Sequence, residues 1–394
     1  MARTIIATTV YSMAAGRFRV VIAGGGVAAL EAMVGLRELA GEFVDVTLLA
    51  PEAEFSYRPL AVAEPFDLGT VQRFPLAVLA GACGARHHSG ALAAVYPEEG
   101  RVRTSRLVEI AYDALLVAIG VTARQALPGA LTFRGPQDVH ALRALVADLE
   151  AGRSKSVAFV VPSGVAWALP LYELALLTAD RLAKSGVRSA KTRVVTPEAA
   201  PLQIFGAQAS ETVRSLLNEK GIELLPGKHP YTFEGGKLHL IPGGVIEADV
   251  VVALPSLRGQ AIPGIPHDRD DFIRTDPHGR VEGLASVYAA GDITAFPVKQ
   301  GGLAAQQADA AAEAIAAKAG AAVEPHPFDP VLRGLVITGG APAYLRAELR
   351  GGRGPVSDAG REPLWWPPGK IAGRYLAPFL AEQAGLAFRA RAAV

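Results

Sequence analysis

Cysteine is nearly missing from this chain: its 394 residues include one, Cys83. A lone cysteine cannot make an internal disulfide, a Cys-x-x-Cys redox pair or a multi-cysteine metal site. In Gly81-Ala82-Cys83-Gly84 it reads as a small filler, with a free reactive thiol as the alternative. Charge of one sign is missing too. Thirty-nine Lys and Arg against 38 Asp and Glu leave a net +1 with the signs interspersed, so no basic face for nucleic acid is expected. No apolar run reaches the roughly 18 residues of a membrane span. The N-terminus, with Arg3 and scattered Thr and Ser, makes a poor signal peptide, so residues 1–16 read as a flexible extension and a cytoplasmic location is the default. His87-His88 has no acidic or cysteine partner at metal spacing and reads as a polar surface turn, so no metal site is expected.

What is present suits a large α/β protein. The length favours two or three domains, and a half-hydrophobic composition can fill their cores. Phe18-Arg19-Val20-Val21-Ile22-Ala23 is an apolar run ending in Gly24-Gly25-Gly26, followed by an Ala-rich helix to about Leu39 and a second run, Phe43 to Leu49. Strand, tight turn, helix, strand is a βαβ unit. Tyr112 to Gly120 reads as a buried strand. From Ser156 the pattern returns, with a strand to Val161, a helix from about Leu169 to Lys184 and a strand from Thr192 to Thr196. Further strands are expected at Ala248 to Leu254 and Val287 to Asp292, then a long Ala/Gln helix from about Gly302 to Ala319.

The first turn reads Gly24-x-Gly26-x-x-Ala29. Gly24 permits the tight turn, Gly26 the approach of a pyrophosphate, and Ala29 close helix packing. The helix beginning at Val27-Ala28 offers free N–H groups and a positive dipole end to phosphate. A dinucleotide fold usually ends its second strand on an acid that holds a ribose. Here the stretch is Leu49-Ala50-Pro51-Glu52, with the acid displaced into the loop.

Val287-Tyr288-Ala289-Ala290-Gly291-Asp292 and Tyr112-Asp113-Ala114-Leu115-Leu116-Val117-Ala118-Ile119-Gly120 carry a resemblance. Together with the glycine turn they resemble, in order, the motifs of the FAD-dependent pyridine nucleotide-disulfide oxidoreductase superfamily; Ile119 stands where threonine is common. Phe55-Ser56-Tyr57-Arg58-Pro59-Leu60, Pro170-Leu171-Tyr172-Glu173 and Phe296-Pro297-Val298-Lys299-Gln300-Gly301-Gly302 look like stretches of sulfide:quinone oxidoreductases, flavocytochrome c sulfide dehydrogenases and type II NADH dehydrogenases.

The resemblance implies an α/β fold with two Rossmann-like three-layer (ββα) domains and a small C-terminal unit. The FAD domain would comprise 17–125 and 265–325, a second, degenerate NAD(P)-binding-like domain 126–264, and a flavin-covering or interface unit 326–394. It implies FAD as cofactor, with Asp292 beside Gly291 holding the ribityl chain. Further contacts are implied at Gly24, Gly25, Gly26, Val27, Ala28, Ala29, Ala50, Glu52, Arg58, Pro59, Ala91, Leu92, Ala118, Ile119, Gly120, Lys299, Gly301, Gly302 and Leu303. Lys299 and Gln300 are the candidate catalytic pair: a helix starting there would bring its positive end and an ammonium to the N1–C2=O edge of reduced flavin. Gln306 and Gln307 lie one turn on and read as helix surface, with quinone contact as the alternative.

The resemblance also fails in places. Ser163-Gly164-Val165-Ala166-Trp167 has Trp where a sulfide enzyme has a flavin-side cysteine, and no cysteine follows residue 83. Cysteine-based sulfide oxidation and disulfide reduction are therefore excluded. Val161-Pro162-Ser163-Gly164 lacks the glycines of a nicotinamide-nucleotide turn, so NAD(P)H binding is doubtful. Trp365-Trp366 and the helical spacing of Ile371, Tyr375 and Phe379, with Pro378 kinking or ending that helix, suggest docking onto the flavin domain or a dimer partner. The alternative is peripheral contact with the inner membrane face. The function expected is an FAD-dependent oxidoreductase passing electrons from a small-molecule donor to a quinone or other small acceptor. The alternatives are an NAD(P)H-dependent flavin reductase and a flavin-binding scaffold without turnover.

Overall fold

The structure is a computed structural model that describes residues 16–349 and 357–392, the side chains of 386–392 excepted. Its helices are α1 (Val27–Ala40), α2 (Leu76–Ala82), α3 (Val139–Glu150), α4 (Leu169–Lys184), α5 (Ala207–Glu219), α6 (Gly301–Lys318) and α7 (Leu376–Ala392).

The first sheet has five parallel strands in the order Val287–Ala289, Ala114–Val117, Phe18–Ala23, Val44–Ala50, Arg86–Ser89. Parallel strands covered on both faces read as continuous apolar runs, and alternate residues serve different layers. Val20 and Ile22 pack toward α1, α6 and α7, while Val21 and Ala23 pack toward the antiparallel sheet of Leu92–Tyr96, Arg101–Thr104 and Glu109–Ala111. The second sheet repeats the plan, with strands in the order Leu131–Thr132, Val250–Ala253, Ser156–Val160, Lys191–Val195, Glu223–Leu225. Val157 and Phe159 join the core of α3, α4 and α5; Ala158 and Val160 meet Leu238 and Leu240 of a second antiparallel layer. The antiparallel pair Thr122–Arg124 and Ser256–Arg258 bridges the two units.

A third antiparallel sheet follows: Val331–Val336, Ala343–Glu348 and Ser357–Gly360. Leu332, Val336 and Leu345 share one core with Leu169 and Phe205 of the second unit. Gln306 and Gln307 are no helix surface. The Gln306 carboxamide exchanges hydrogen bonds with the backbone of Val331 at 2.9 Å each, and Gln307 Oε1 accepts from the Gly291 N–H at 2.8 Å. Each satisfies backbone groups that helix packing takes from water.

Two local expectations are corrected. His87 and His88 lie in the edge strand Arg86–Ser89, paired with Leu48 and Leu49; a polar edge strand lacks the apolar run that marks a central one. Pro378 neither kinks nor ends α7 but lies in its first turn, where its missing N–H costs nothing. Ile371 therefore precedes the helix and shares no helical face with Phe379. The start of α7 is capped from α1, where the Glu31 carboxylate accepts the N–H groups of Tyr375 at 2.7 Å and Leu376 at 3.0 Å.

Candidate functional site

The carboxyl ends of the first sheet meet where strand order reverses around Phe18–Ala23, the crevice in which α/β folds place ligands. Gly24 has φ +129°, and a Cβ there would lie 2.1 Å from the Ala118 carbonyl oxygen, so only glycine fits. At Gly25 a Cβ would press on Leu76 at 2.7 Å and approach Ala50 and Glu52. Gly26 differs: it is the N-cap of α1, no side chain caps the helix, and a Cβ would meet nothing within 4 Å. Open space faces the uncapped N-terminus at Val27, where an anion would be stabilised, with Ala28 and Ala29 buried behind.

Ala118, Ile119 and Gly120 continue the neighbouring strand, Gly120 at φ +69°. Beyond them, a Cβ on Gly291 would lie 3.0 Å from the Ala28 Cβ, which lets α1 and α6 cross tightly. Asp292 follows, its carboxylate without a hydrogen-bond partner among the described residues. Burial pushes its carboxyl up, and Lys299 and Arg58 pull it back down. Lys299 is buried beside it. Its ammonium donates to the Thr294 carbonyl and lies 4.0 Å from the Phe272 ring centroid, and burial lowers its pKa to about 8 against the opposing pull of Asp292. Gln300 is the N-cap of α6: Oε1 accepts from the Leu303 N–H at 2.8 Å and Nε2 donates to the Arg333 carbonyl at 3.2 Å. Gly301 packs against Ile371 and Gly302 against the Gln300 side chain. The structure thus brings most of the residues expected from sequence to one edge. Ala91 and Leu92 lie at the entry to the antiparallel layer; the Ala91 N–H donates to Ser105 Oγ at 3.1 Å, and Leu92 is paired and buried.

Arg58, Pro59, Lys299, Gln300 and Gly301 form one wall of a cleft of about 1040 Å³, open to solvent at its mouth. The other walls come from Phe133 and Arg134, Trp167 and Glu173, Arg333 to Leu335, and Lys370; of these, sequence reading had set only Trp167 beside the flavin by position. Glu173 is fully buried on α4, and its Oε1 accepts both the Ile337 N–H at 2.8 Å and the Lys370 ammonium. Burial pushes this carboxyl up while Lys370 pulls it down. Two signals pointed to Glu173: the resemblance carried by Pro170 to Glu173 and an acid within the apolar stretch Leu171 to Leu177. Cys83 lies elsewhere, at the end of α2, with its thiol pKa raised by burial.

The second unit's turn is built differently. Three residues, 24–26, join strand to α1, whereas eight, 161–168, join strand to α4, whose first turn contains Pro170. A smaller pocket of about 480 Å³ lies there, lined by Gly164, Trp167 and Glu198. Glu198 is already engaged, accepting from Tyr172 Oη at 2.7 Å and Thr196 Oγ1 at 3.1 Å. Further on, Trp365 meets the Tyr344 ring and donates to the Gly369 carbonyl, while Trp366 is 85% exposed. No helix among the described residues is long and apolar enough to cross a membrane.

Comparison with known proteins agrees with this architecture. The family model of the pyridine nucleotide-disulphide oxidoreductases matches residues 18–315, well over half of the chain. The chain belongs to that family. This oxidoreductase is accordingly an enzyme with FAD as its cofactor. It is 28% identical over 296 residues to the NADH dehydrogenase-like protein Rv1812c of Mycobacterium tuberculosis, covering 70% of this chain and 73% of that one. Its fold is similar to that of the sulfide:quinone oxidoreductase from Aquifex aeolicus, at TM-score 0.77, 19% identity and 87% coverage of both chains. It is also similar to the ferredoxin reductase of the CYP199A2 system from Rhodopseudomonas palustris, at TM-score 0.64, 20% identity, and 85% and 83% coverage.

Proposed function

We propose that this oxidoreductase passes electrons through FAD to a quinone or similar small acceptor seated in the cleft, without a cysteine or disulfide step. The domain formed by 17–125 and 265–325 would hold FAD at the carboxyl ends of the first sheet. Gly24 to Ala29 would receive its pyrophosphate, Gly291 and Asp292 would hold its ribityl chain, and Lys299 with Gln300 to Leu303 would serve its redox end. The open space before Gly26 and the unpartnered Asp292 carboxylate suit such a ligand. Bound there, FAD supplies two-electron chemistry that no side chain of this protein can.

The observation that carries the reading is the convergence of Lys299, Gln300 and the buried Glu173–Lys370 pair on one cleft with no thiol among its lining. A quinone takes up two protons with its two electrons. Lys370 holds a proton at Nζ at the cleft wall, and Glu173 fixes that ammonium in place. Lys299 keeps positive charge beside the site of electron entry. The test is reoxidation of the reduced holoprotein by a water-soluble quinone under anaerobic conditions. Glu173→Gln keeps the flavin and slows reoxidation about 100-fold. A variant as fast as the wild type, or a wild type that no quinone reoxidises, sinks the proposal.

A second reading, NAD(P)H as the electron donor, is favoured by the name of the mycobacterial relative and by the pocket beside Gly164 and Glu198. The long turn and the engaged Glu198 weigh against it. Anaerobic mixing with NADH and with NADPH decides: if neither bleaches the flavin, this reading falls.

A further inference from the structure

Arg333 lies on the strand Val331–Val336, directly opposite Arg346 of the next strand. Like charges in register repel, and Arg346 takes the nearby acids, Glu348 at 2.9 Å and Asp358 at 3.4 Å. The Arg333 side chain has no hydrogen bond or ion pair with any described residue, and its Nε is buried without a partner. The residues outside the description include no Asp or Glu. Burial, then Arg346, pushes the guanidinium pKa down.

The other cations of the cleft are differently placed. Arg134 is paired with Asp138, Lys370 with Glu173, Lys299 faces Asp292, and Arg58 is exposed and also draws on Asp292. Among the described residues, Arg333 alone combines a desolvated donor with a cleft wall made of Phe133, Trp167 and Leu335. A guanidinium partly withdrawn from water without an acceptor is costly, and a planar two-oxygen anion matches its fork.

We propose that the cleft selects an organic acid with a flat apolar body, its carboxylate paired with Arg333 and its body against Phe133, Trp167 and Leu335. This rests on reading the cleft as the acceptor site, and it narrows the acceptor to a quinone or similar flat acceptor that carries a carboxylate.

The test is a binding titration of the oxidised, FAD-loaded protein with 2-naphthoate and with its neutral counterpart 2-naphthamide, followed by the flavin difference spectrum and by calorimetry. The acid binds at least about tenfold more tightly than the amide, the advantage of a hydrogen bond to a charged group. In Arg333→Gln that ratio falls to near one with the amide's Kd unchanged, and Arg333→Lys retains part of it. Equal affinities in the wild type overturn the proposal, as does failure of the acid to bind. It also falls if the preference persists in Arg333→Gln, or if that variant loses FAD instead, which would place Arg333 in flavin binding. The wild-type ratio needs no variant to fold. It is read without turnover, so an absence of quinone reduction with the ratio intact sinks the redox reading alone.

Discussion

Asp309→Asn should make the protein more stable, by an amount that grows with pH. Asp309 on α6 faces Glu31 on α1, in a site where Glu31 is fully buried and caps α7. Glu313, one turn further along α6, pairs with Arg374 at 3.1 Å and His326 at 3.0 Å. Burial first, and the Glu31 charge second, raise the Asp309 carboxyl to about 8, while Arg374 pulls it down. At neutral pH the Asp309–Glu31 pair holds a proton between its two carboxyls. In the unfolded chain the same carboxyl has its ordinary value of 3.8. Between those values the folded state holds a proton that the unfolded state does not, so stability falls as pH rises and levels off above about 8. Linkage gives a loss of about 2 kcal/mol between roughly pH 6 and pH 8. Asparagine keeps the shape and an N–H donor toward Glu31 but has no proton to lose. Urea denaturation at fixed excess FAD, repeated across that range, should show the variant's midpoint pulling ahead of the wild type as pH rises, with an unchanged m-value. Parallel stability curves for the two proteins would refute the buried acid pair.

Three further outcomes follow from the geometry. Gly24→Ala meets the Ala118 carbonyl at a positive φ and should lower stability by about 3 kcal/mol in thermal melts even without flavin, whereas Gly26→Ala should melt like the wild type and bind FAD at least about tenfold more weakly. Reoxidation by quinone should slow as pH rises through about 8, where the Lys299 ammonium is lost, and the break should vanish in Lys299→Gln; the same break in that variant would assign it elsewhere. Gln306→Ala removes both hydrogen bonds to the Val331 backbone and should cost roughly 1–3 kcal/mol by chemical denaturation, with faster proteolysis at 326–336 as the local sign that α6 has released the C-terminal sheet.

The sequence by itself determined the local features. The need for glycine at position 24 is set by one backbone conformation and the strand beside it. The central strands of the two parallel sheets are buried on both faces and so appear as apolar runs, and α4 was legible from Leu169 to Lys184. A single cysteine excluded a disulfide or paired-thiol mechanism. Only the tertiary structure decided which charges share a cleft. Glu173 and Lys370 stand 197 residues apart, and neither neighbourhood announces the other. Arg333 became an uncompensated cation through the strand register that sets it against Arg346 and gives the nearby acids to its neighbour. Pro378 read as a helix breaker until the position of Glu31 showed that α7 starts there. Backbone preference and hydrophobic pattern act over a few residues and are written in order along the chain. The energy of a charge depends on how much water and which partners every surrounding element leaves it, and that is fixed only once the chain has folded.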